Sequence, residues 1–205
     1  VAAAQVDAAH ALKLGAPESI IAALQLTRAT LQEKAHLASM LAGLPDPVGR
    51  VESTWLRPNG LKIEKIRIPL GVVGVLIEYA PLTVVDAALL CVKAGDALLV
   101  HSGSALQHTC ESMMAAFSDA ELPAPFAGDL VQRVPGHGDT ARQALLGCRG
   151  WVDLAIPVGS DRWVADVVAS AKVPVLSEGQ GSCHVYVDAD ANLDMARRLV
   201  ADSVG

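Results

Sequence analysis

Aromatic side chains are scarce in this sequence: Phe, Trp and Tyr together make 3% of its 205 residues. Its core must therefore be assembled from Ala, Val, Leu and Ile, which favours helices packed closely on a sheet. The same scarcity disfavours a stacking platform for single-stranded nucleic acid. Positive charge is also short, with a net charge of −6 and scattered Lys and Arg, so there is no electrostatic footprint for DNA or RNA. No apolar run approaches the roughly 18 residues of a membrane span. No signal peptide is read, because Val1-Ala2-Ala3-Ala4 lacks a basic start and runs into Gln5 and Asp7. Cys91, Cys110, Cys148 and Cys183 show no CxxC spacing. They read as reduced thiols of a cytoplasmic protein, not as a disulfide frame or zinc site. Neither a GxGxxG fingerprint nor a Walker A sequence occurs.

What is present is an apolar α/β pattern. Apolar residues make up 52% of the chain, enough for one α/β domain with a full core. The stretch from Arg67 to Ser104 organises the rest. An apolar run, Val72 to Ile77, follows Gly71 and stops at Glu78. After Pro81 comes an Ala-rich run, Val84 to Lys93, long enough for a helix. Gly95-Asp96 closes it, and Ala97 to Val100 is a second short apolar run. Buried strand, helix, Gly stop and buried strand make a βαβ unit of a parallel sheet covered on both faces. His101-Ser102-Gly103-Ser104 falls at the carboxyl end of its second strand, where open α/β sheets bind ligands.

On either side of this unit the pattern continues. Val1 to Leu14 has helical periodicity. A second helix is expected from Pro17-Glu18 to about Gly43, stopped by Pro45-Asp46-Pro47. Residues 48–68 alternate about an Arg57-Pro58-Asn59-Gly60 turn, which predicts an exposed β-hairpin, either an appended ribbon or an edge of the main sheet. Ser104 is expected to cap a helix running to Asp119, which Glu121 to Pro125 breaks. Further strands are predicted at Leu130–Val134, Trp151–Ile156, Val173–Leu176 and His184–Val187. Helices are predicted after Asp139, over Asp161–Ala171 and over Ala191–Ser203. The alternation predicts a doubly wound, Rossmann-like parallel sheet with an appended β-hairpin.

Few residues stand out chemically. Gly159-Ser160 follows a strand and opens a helix, so it is either an anion site built on backbone N–H groups or an ordinary βα turn. His101 to Ser104 could hold a ribose or cap a helix. His10 and His36 read as surface or packing residues, and His137 as a loop residue. Cys183 and His184 are strand neighbours that point to opposite faces and do not pair. Cys91 and Cys110 read as core residues. Cys148 beside Arg149 would be activated only if exposed. Glu178 is either a base or a solvated loop carboxylate.

Arg67-Ile68-Pro69-Leu70-Gly71-Val72-Val73-Gly74-Val75 and the run from Asp86 to Ala97 resemble gamma-glutamyl phosphate reductase (glutamate-5-semialdehyde dehydrogenase) of the aldehyde dehydrogenase superfamily. Asp46-Pro47-Val48-Gly49 with Leu56 and Gly60-Leu61 resembles the start of the family's hairpin. Trp151 to Pro157 resembles its "IDxxIPRGG" strand. Val173 to Leu176 with Gly181 to Asp188 resembles its "VPV…GxCHVYVD" block. The resemblance implies that residues 1–205 are a cofactor-binding domain, with 48–68 a bridging hairpin used in homo-oligomerisation. It implies NADPH, with NADH the alternative, and L-glutamyl 5-phosphate as substrate. The implied reaction is reduction to L-glutamate 5-semialdehyde in proline biosynthesis, in the cytoplasm, through a cysteine thiolate.

Matched to the family's motifs, Tyr79, Pro81, His101, Ser102, Gly103, Gly159 and Ser160 are the expected cofactor-binding residues. No catalytic residue is expected in this chain, because it ends where the family's "NAKxQRPxxCN" nucleophile segment should begin. Cys91 and Cys183 match family cysteines that are not the nucleophile. The family's "YExRPN", "RGG" and "PRGG" arginines are replaced by Ala80, His101 and Val158, which weakens phosphate binding. Glu178 is out of register with a family glutamate. Two rival readings are a non-catalytic interaction protein with an eroded crevice, and a domain of a general aldehyde dehydrogenase, the latter suggested by Val158-Gly159-Ser160.

Overall fold

A computed structural model describes residues 1–119, 130–136, 138–177 and 184–204. Three helices open the chain, α1 (Ala2–Lys13), α2 (Glu18–Leu24) and α3 (Arg28–Gly43). Strands β1 (Val51–Leu56) and β2 (Lys62–Ile66) form a separate antiparallel ribbon. Then come β3 (Val72–Ile77), α4 (Leu82–Ala94), β4 (Ala97–Ser102), a 3₁₀ turn (Ser104–Leu106) and α5 (Gln107–Ser118). Finally there are β5 (Val131–Arg133), α6 (Gly138–Gly147), β6 (Leu154–Val158), α7 (Asp161–Ser170) and α8 (Leu193–Val204).

The parallel sheet has the order β5-β4-β3-β6. Strand β3 pairs with β4 from Val72–Ala97 to Ile77–Ser102, and with β6 from Val73–Leu154 to Ile77–Val158. Its one face carries Val73, Val75 and Ile77, packed with Val84 and Ala88 of α4, Cys110 of α5 and Ala8 of α1. The opposite face carries Leu76, packed with Leu145 of α6 and Val167 of α7. Gly74 permits that second layer, since a Cβ there would lie 3.3 Å from Leu145 Cδ1. The predicted doubly wound architecture is therefore present, and the residues in its core are almost all aliphatic.

Two carboxylates fix where β3 starts. Gly71 N donates to Asp96 Oδ1 at 2.9 Å, and Val72 N donates to Asp153 Oδ2 at 2.8 Å. Gly71 has φ +117°, and a Cβ there would run into Asp153 Oδ2. At the other end of the βαβ unit Gly95 adopts φ 77° and ends α4 as expected.

The ribbon stands as predicted, outside the main sheet. Gly60 (φ 82°) makes its turn, and Leu61 N donates to Asn59 Oδ1 at 3.1 Å. Glu52 lies against Lys65 and Arg67, whose hydrogen bonds and charges hold its carboxyl below the usual range. Both ends meet at one place: Gly49 N donates to Arg67 O at 2.9 Å, and Arg67 N donates to Arg50 O at 3.0 Å.

Several expected elements differ. The single helix from Pro17 to Gly43 is two helices, because Thr27 starts a new one: Thr30 N donates to Thr27 Oγ1 and Thr27 N to Thr30 Oγ1, both at 3.1 Å. The break also lets Leu24 and Leu26 both reach the core. Ser104 does not cap a helix with its side chain; it begins the 3₁₀ turn before α5. The strand expected at Trp151 begins at Leu154, since Trp151 and Val152 turn back to Cys148 O and Trp151 is 80% exposed. The strand expected over Val173–Leu176 reduces to a single bridge between Ala155 and Val175. No strand forms over His184–Val187. Pro157 is tolerated inside β6 because Ala155, two residues earlier, directs its N–H outward to Pro174 O; position 157 faces the same way.

Asp7 joins the first helix to this domain. It is 1% exposed, and its Oδ2 accepts from Thr109 N at 2.7 Å and Thr109 Oγ1 at 2.6 Å. Its Oδ1 accepts from His108 N at 3.3 Å and His108 Nδ1 at 2.8 Å. A residue of α1 thus caps α5, and Asp7→Ala would bury unsatisfied donors. We expect it to lower unfolding free energy by about 2–3 kcal/mol in urea denaturation. A loss below about 0.5 kcal/mol would show that the cap is replaceable by water.

Candidate functional site

The chain runs β3, β4, β5 in one direction across the sheet and then returns to place β6 on the other side of β3. This reversal puts a crevice beyond the carboxyl ends of β3 and β6, the place where open α/β sheets bind ligands. Glu78 and Tyr79 leave β3 on one side of it, and Gly159 and Ser160 leave β6 on the other. Glu78 N donates to Val158 O at 2.9 Å, and Gly103 N donates to Ile77 O at 2.8 Å, so three strand ends lie abreast.

Both glycines at this edge are required by close approach. A Cβ on Gly103 would lie 2.8 Å from Glu78 O. A Cβ on Gly159 would lie 2.6 Å from Glu78 Oε2 and 2.8 Å from Trp163 Cε3. A cavity of about 410 Å³ flanks Gly159, lined by Val158, Asp161, Val164, Leu176 and Ser177.

The predicted residues divide by position. Tyr79, Gly103, Gly159 and Ser160 gather, half-buried, at this edge, and Pro81 is buried at the start of α4. His101 and Ser102 are both buried, but their side chains leave β4 on opposite faces. His101 Nε2 donates to Gly138 O at 3.1 Å, at the start of α6. His137, Glu178 and Cys183 lie outside the described residues. His184 is exposed.

Ser160 is the predicted anion donor, and an anion is already on it. Its N donates to Glu78 Oε2 at 2.7 Å and its Oγ donates to the same oxygen at 2.8 Å. The other helix start at this edge, that of α5, is held by Asp7. Sequence reading missed Glu78 and also Arg142. The Arg142 guanidinium lies 5.9 Å from the Trp163 ring centre and 3.0 Å from Asp139 Oδ1, with a side chain 13% exposed. Arg142 is thus a cation beside Trp163, whose ring abuts Gly159, in a place no sequence motif announces.

Ser160 carries two donors of the kind a phosphate takes, here both given to Glu78, and Gly103 and Gly159 are small because Glu78 and Trp163 pack directly against them. None of the described cysteines stands at this edge. Burial, helped by Asp96, pushes the Cys91 thiol up to about 11. Burial likewise raises that of Cys110. Cys148 is exposed and donates to Ala144 O, one turn back on α6, while Arg149 is turned away to Lys172 O. Among the described residues no group of three or more His, Cys, Asp or Glu could hold a metal ion, and no helix is long and apolar enough to cross a membrane.

No family model matches the chain. It is 40% identical over 200 residues to the gamma-glutamyl phosphate reductase of Brucella suis, covering 97% of this chain and 48% of that protein. It superposes on the gamma-glutamyl phosphate reductase of Thermotoga maritima with TM-score 0.88 at 28% identity, covering 98% of this chain and 48% of that one. An acetylating aldehyde dehydrogenase from Geobacillus thermoglucosidasius shares the fold with TM-score 0.58 at 21% identity, over 83% of this chain and 39% of that one. So does an engineered glycolyl-CoA reductase with bound NADP+, at TM-score 0.56 and 20% identity, over 83% and 42%. The resemblance read from the motifs is borne out: the chain is homologous to gamma-glutamyl phosphate reductases and has an aldehyde dehydrogenase-like fold. It spans about half the length of the curated relatives it matches.

The thiol environments predict an order of reaction. Among the described cysteines, a maleimide or disulfide reagent at pH 8 should modify Cys148 before Cys91 and Cys110, which stay protected until the chain unfolds. Peptide mapping by mass spectrometry reads this directly. Rapid labelling of Cys91 or Cys110 in the folded chain would contradict the burial described.

Proposed function

We propose, from homology to gamma-glutamyl phosphate reductases along nearly all of the chain, that this polypeptide is the cofactor-binding portion of such an enzyme. The observation that carries the reading is the alignment of three strand ends around Gly103, Gly159 and Ser160 at the sheet's reversal point. The complete cytoplasmic enzyme reduces L-glutamyl 5-phosphate to L-glutamate 5-semialdehyde. NADPH, when bound, supplies the hydride, with NADH the alternative donor.

In this reading the residues of the chain bind and orient. Ser160 N and Oγ donate to a cofactor phosphate, helped by the start of α7. Gly103 and Gly159 let the ends of β4 and β6 pack directly against Glu78, which sets the shape of the crevice. Tyr79 and Pro81 shape the rim at the end of β3, and His101 and Ser102 hold the end of β4 from its two faces. The resemblance assigns the nucleophilic cysteine to the family's "NAKxQRPxxCN" segment, which the described residues do not contain, in keeping with the burial of Cys91 and Cys110.

The hairpin supports assembly into a homo-oligomer. Trp55 (50% exposed) and Ile63 pair across the ribbon, and Leu56 and Ile66 are also exposed, more apolar surface than a lone ribbon carries. We propose that it bridges to a second copy in the complete enzyme.

Calorimetric titration of NADPH and of NADH into the purified chain tests the reading. Saturable binding is expected, weakened at least tenfold by Gly159→Trp in a variant shown folded by circular dichroism, because its side chain would collide with Glu78 and Trp163 and distort the end of β6. A folded chain that binds neither nucleotide at millimolar concentration would overturn the cofactor assignment.

A further inference from the structure

We propose that the Glu78 carboxylate is an internal stand-in for a ligand phosphate, and that a dinucleotide binds only by displacing it from the start of α7. The inference rests on the cofactor reading above. Its starting point is one oxygen. Glu78 Oε2 accepts from both Ser160 N and Ser160 Oγ, at 2.7 and 2.8 Å. These are the donors that a phosphate at this helix end would take, and their geometry is that of a charge-assisted anion contact. Glu78 is partly buried, and among the described residues no Lys, Arg or His forms an ion pair with it. The carboxylate is therefore held by the helix end rather than by a countercharge.

The neighbouring backbone is shaped around this carboxylate. Gly159 leaves room for Glu78 Oε2 and Cβ together with the Trp163 ring, all within 2.8 Å of where a Cβ would stand. The attachment point is also fixed, because Glu78 N donates to Val158 O and continues the pairing of β3 with β6. The backbone of Glu78 cannot retreat without breaking the sheet, but its side chain can turn about its own bonds. A phosphate arriving at Ser160 meets a negative charge a few ångströms away, and like charges at that distance repel strongly in a half-buried site. Release of the carboxylate removes its share of the repulsion, leaving Asp161 as the acidic group of the first turn of α7, and frees both Ser160 donors in one movement. The device sets a threshold: only a ligand with enough contacts elsewhere along the crevice can displace Glu78, so a dinucleotide is favoured over a small free anion.

Calorimetric titration of NADPH and, separately, of inorganic pyrophosphate into the wild-type chain, Glu78→Gln and Glu78→Asp tests this. Glu78→Gln removes the charge and keeps the shape; it should bind both probes about tenfold tighter than wild type. Glu78→Asp keeps the charge but falls short of Ser160, and should bind several-fold tighter. It reports independently should the Gln variant fold poorly by circular dichroism. Wild type that binds NADPH while both variants bind it equally or more weakly overturns the inference and leaves the cofactor reading standing. No binding of NADPH by wild type or either variant at millimolar concentration overturns both.

Discussion

Hydrogen bonding of β3 on both of its edges is the constraint on which the rest of the molecule depends. A strand paired in parallel on both sides has no freedom to slide without breaking two ladders at once. Its side chains must then satisfy two separate apolar layers, and Val73, Val75, Leu76 and Ile77 are all at most 2% exposed. Everything functional follows from that fixed register. Glu78 stands where it does because Ile77 is locked opposite both Ser102 and Val158.

Carboxylates complete what the ladders begin. Asp96 and Asp153 take the first N–H groups of β3, Asp7 takes the start of α5, and Glu78 takes the start of α7. Each satisfies backbone donors that an apolar sheet core would otherwise leave orphaned. The four acidic groups thus act as joints between elements, and the low aromatic content is no handicap. The junctions are polar and directional, while the interior is a close packing of Ala, Val and Leu.

The fold was legible where local pattern and tertiary environment agree. Val72–Ile77 and Ala97–Val100 are short apolar runs, the first opened by Gly71 and stopped by Glu78, the second opened by Gly95-Asp96, and they became the two central strands. The ribbon was legible from its Pro-Asn-Gly turn and mixed faces. Misreadings arose where an apolar residue is not buried: Trp151 suggested a strand but sits in an exposed turn. Val173 to Leu176 looked like a strand by composition, but Pro174 has no N–H to give and only one bridge forms. Of the candidate site, the strand-end glycines and Ser160 were readable from spacing and motif. Glu78 on Ser160 was not, because the pair is separated by 82 residues and neither local signal implies the other. The Asp7 cap, 102 residues from Thr109, was hidden for the same reason.

The closed base of the ribbon has a consequence for how such a chain can vary. Gly49, Arg50 and Arg67 pair with one another where the ribbon leaves the body, so the two chain ends stay together whatever lies between them. Residues 51–66 therefore form a cassette. They can lengthen, shorten or change their surface in evolution while the phase of β3, and every strand end beyond it, is kept. Because lengthening a closed loop adds only a slowly growing entropic cost, the exposed ribbon can diverge freely while the crevice beyond β3 and β6 stays in register.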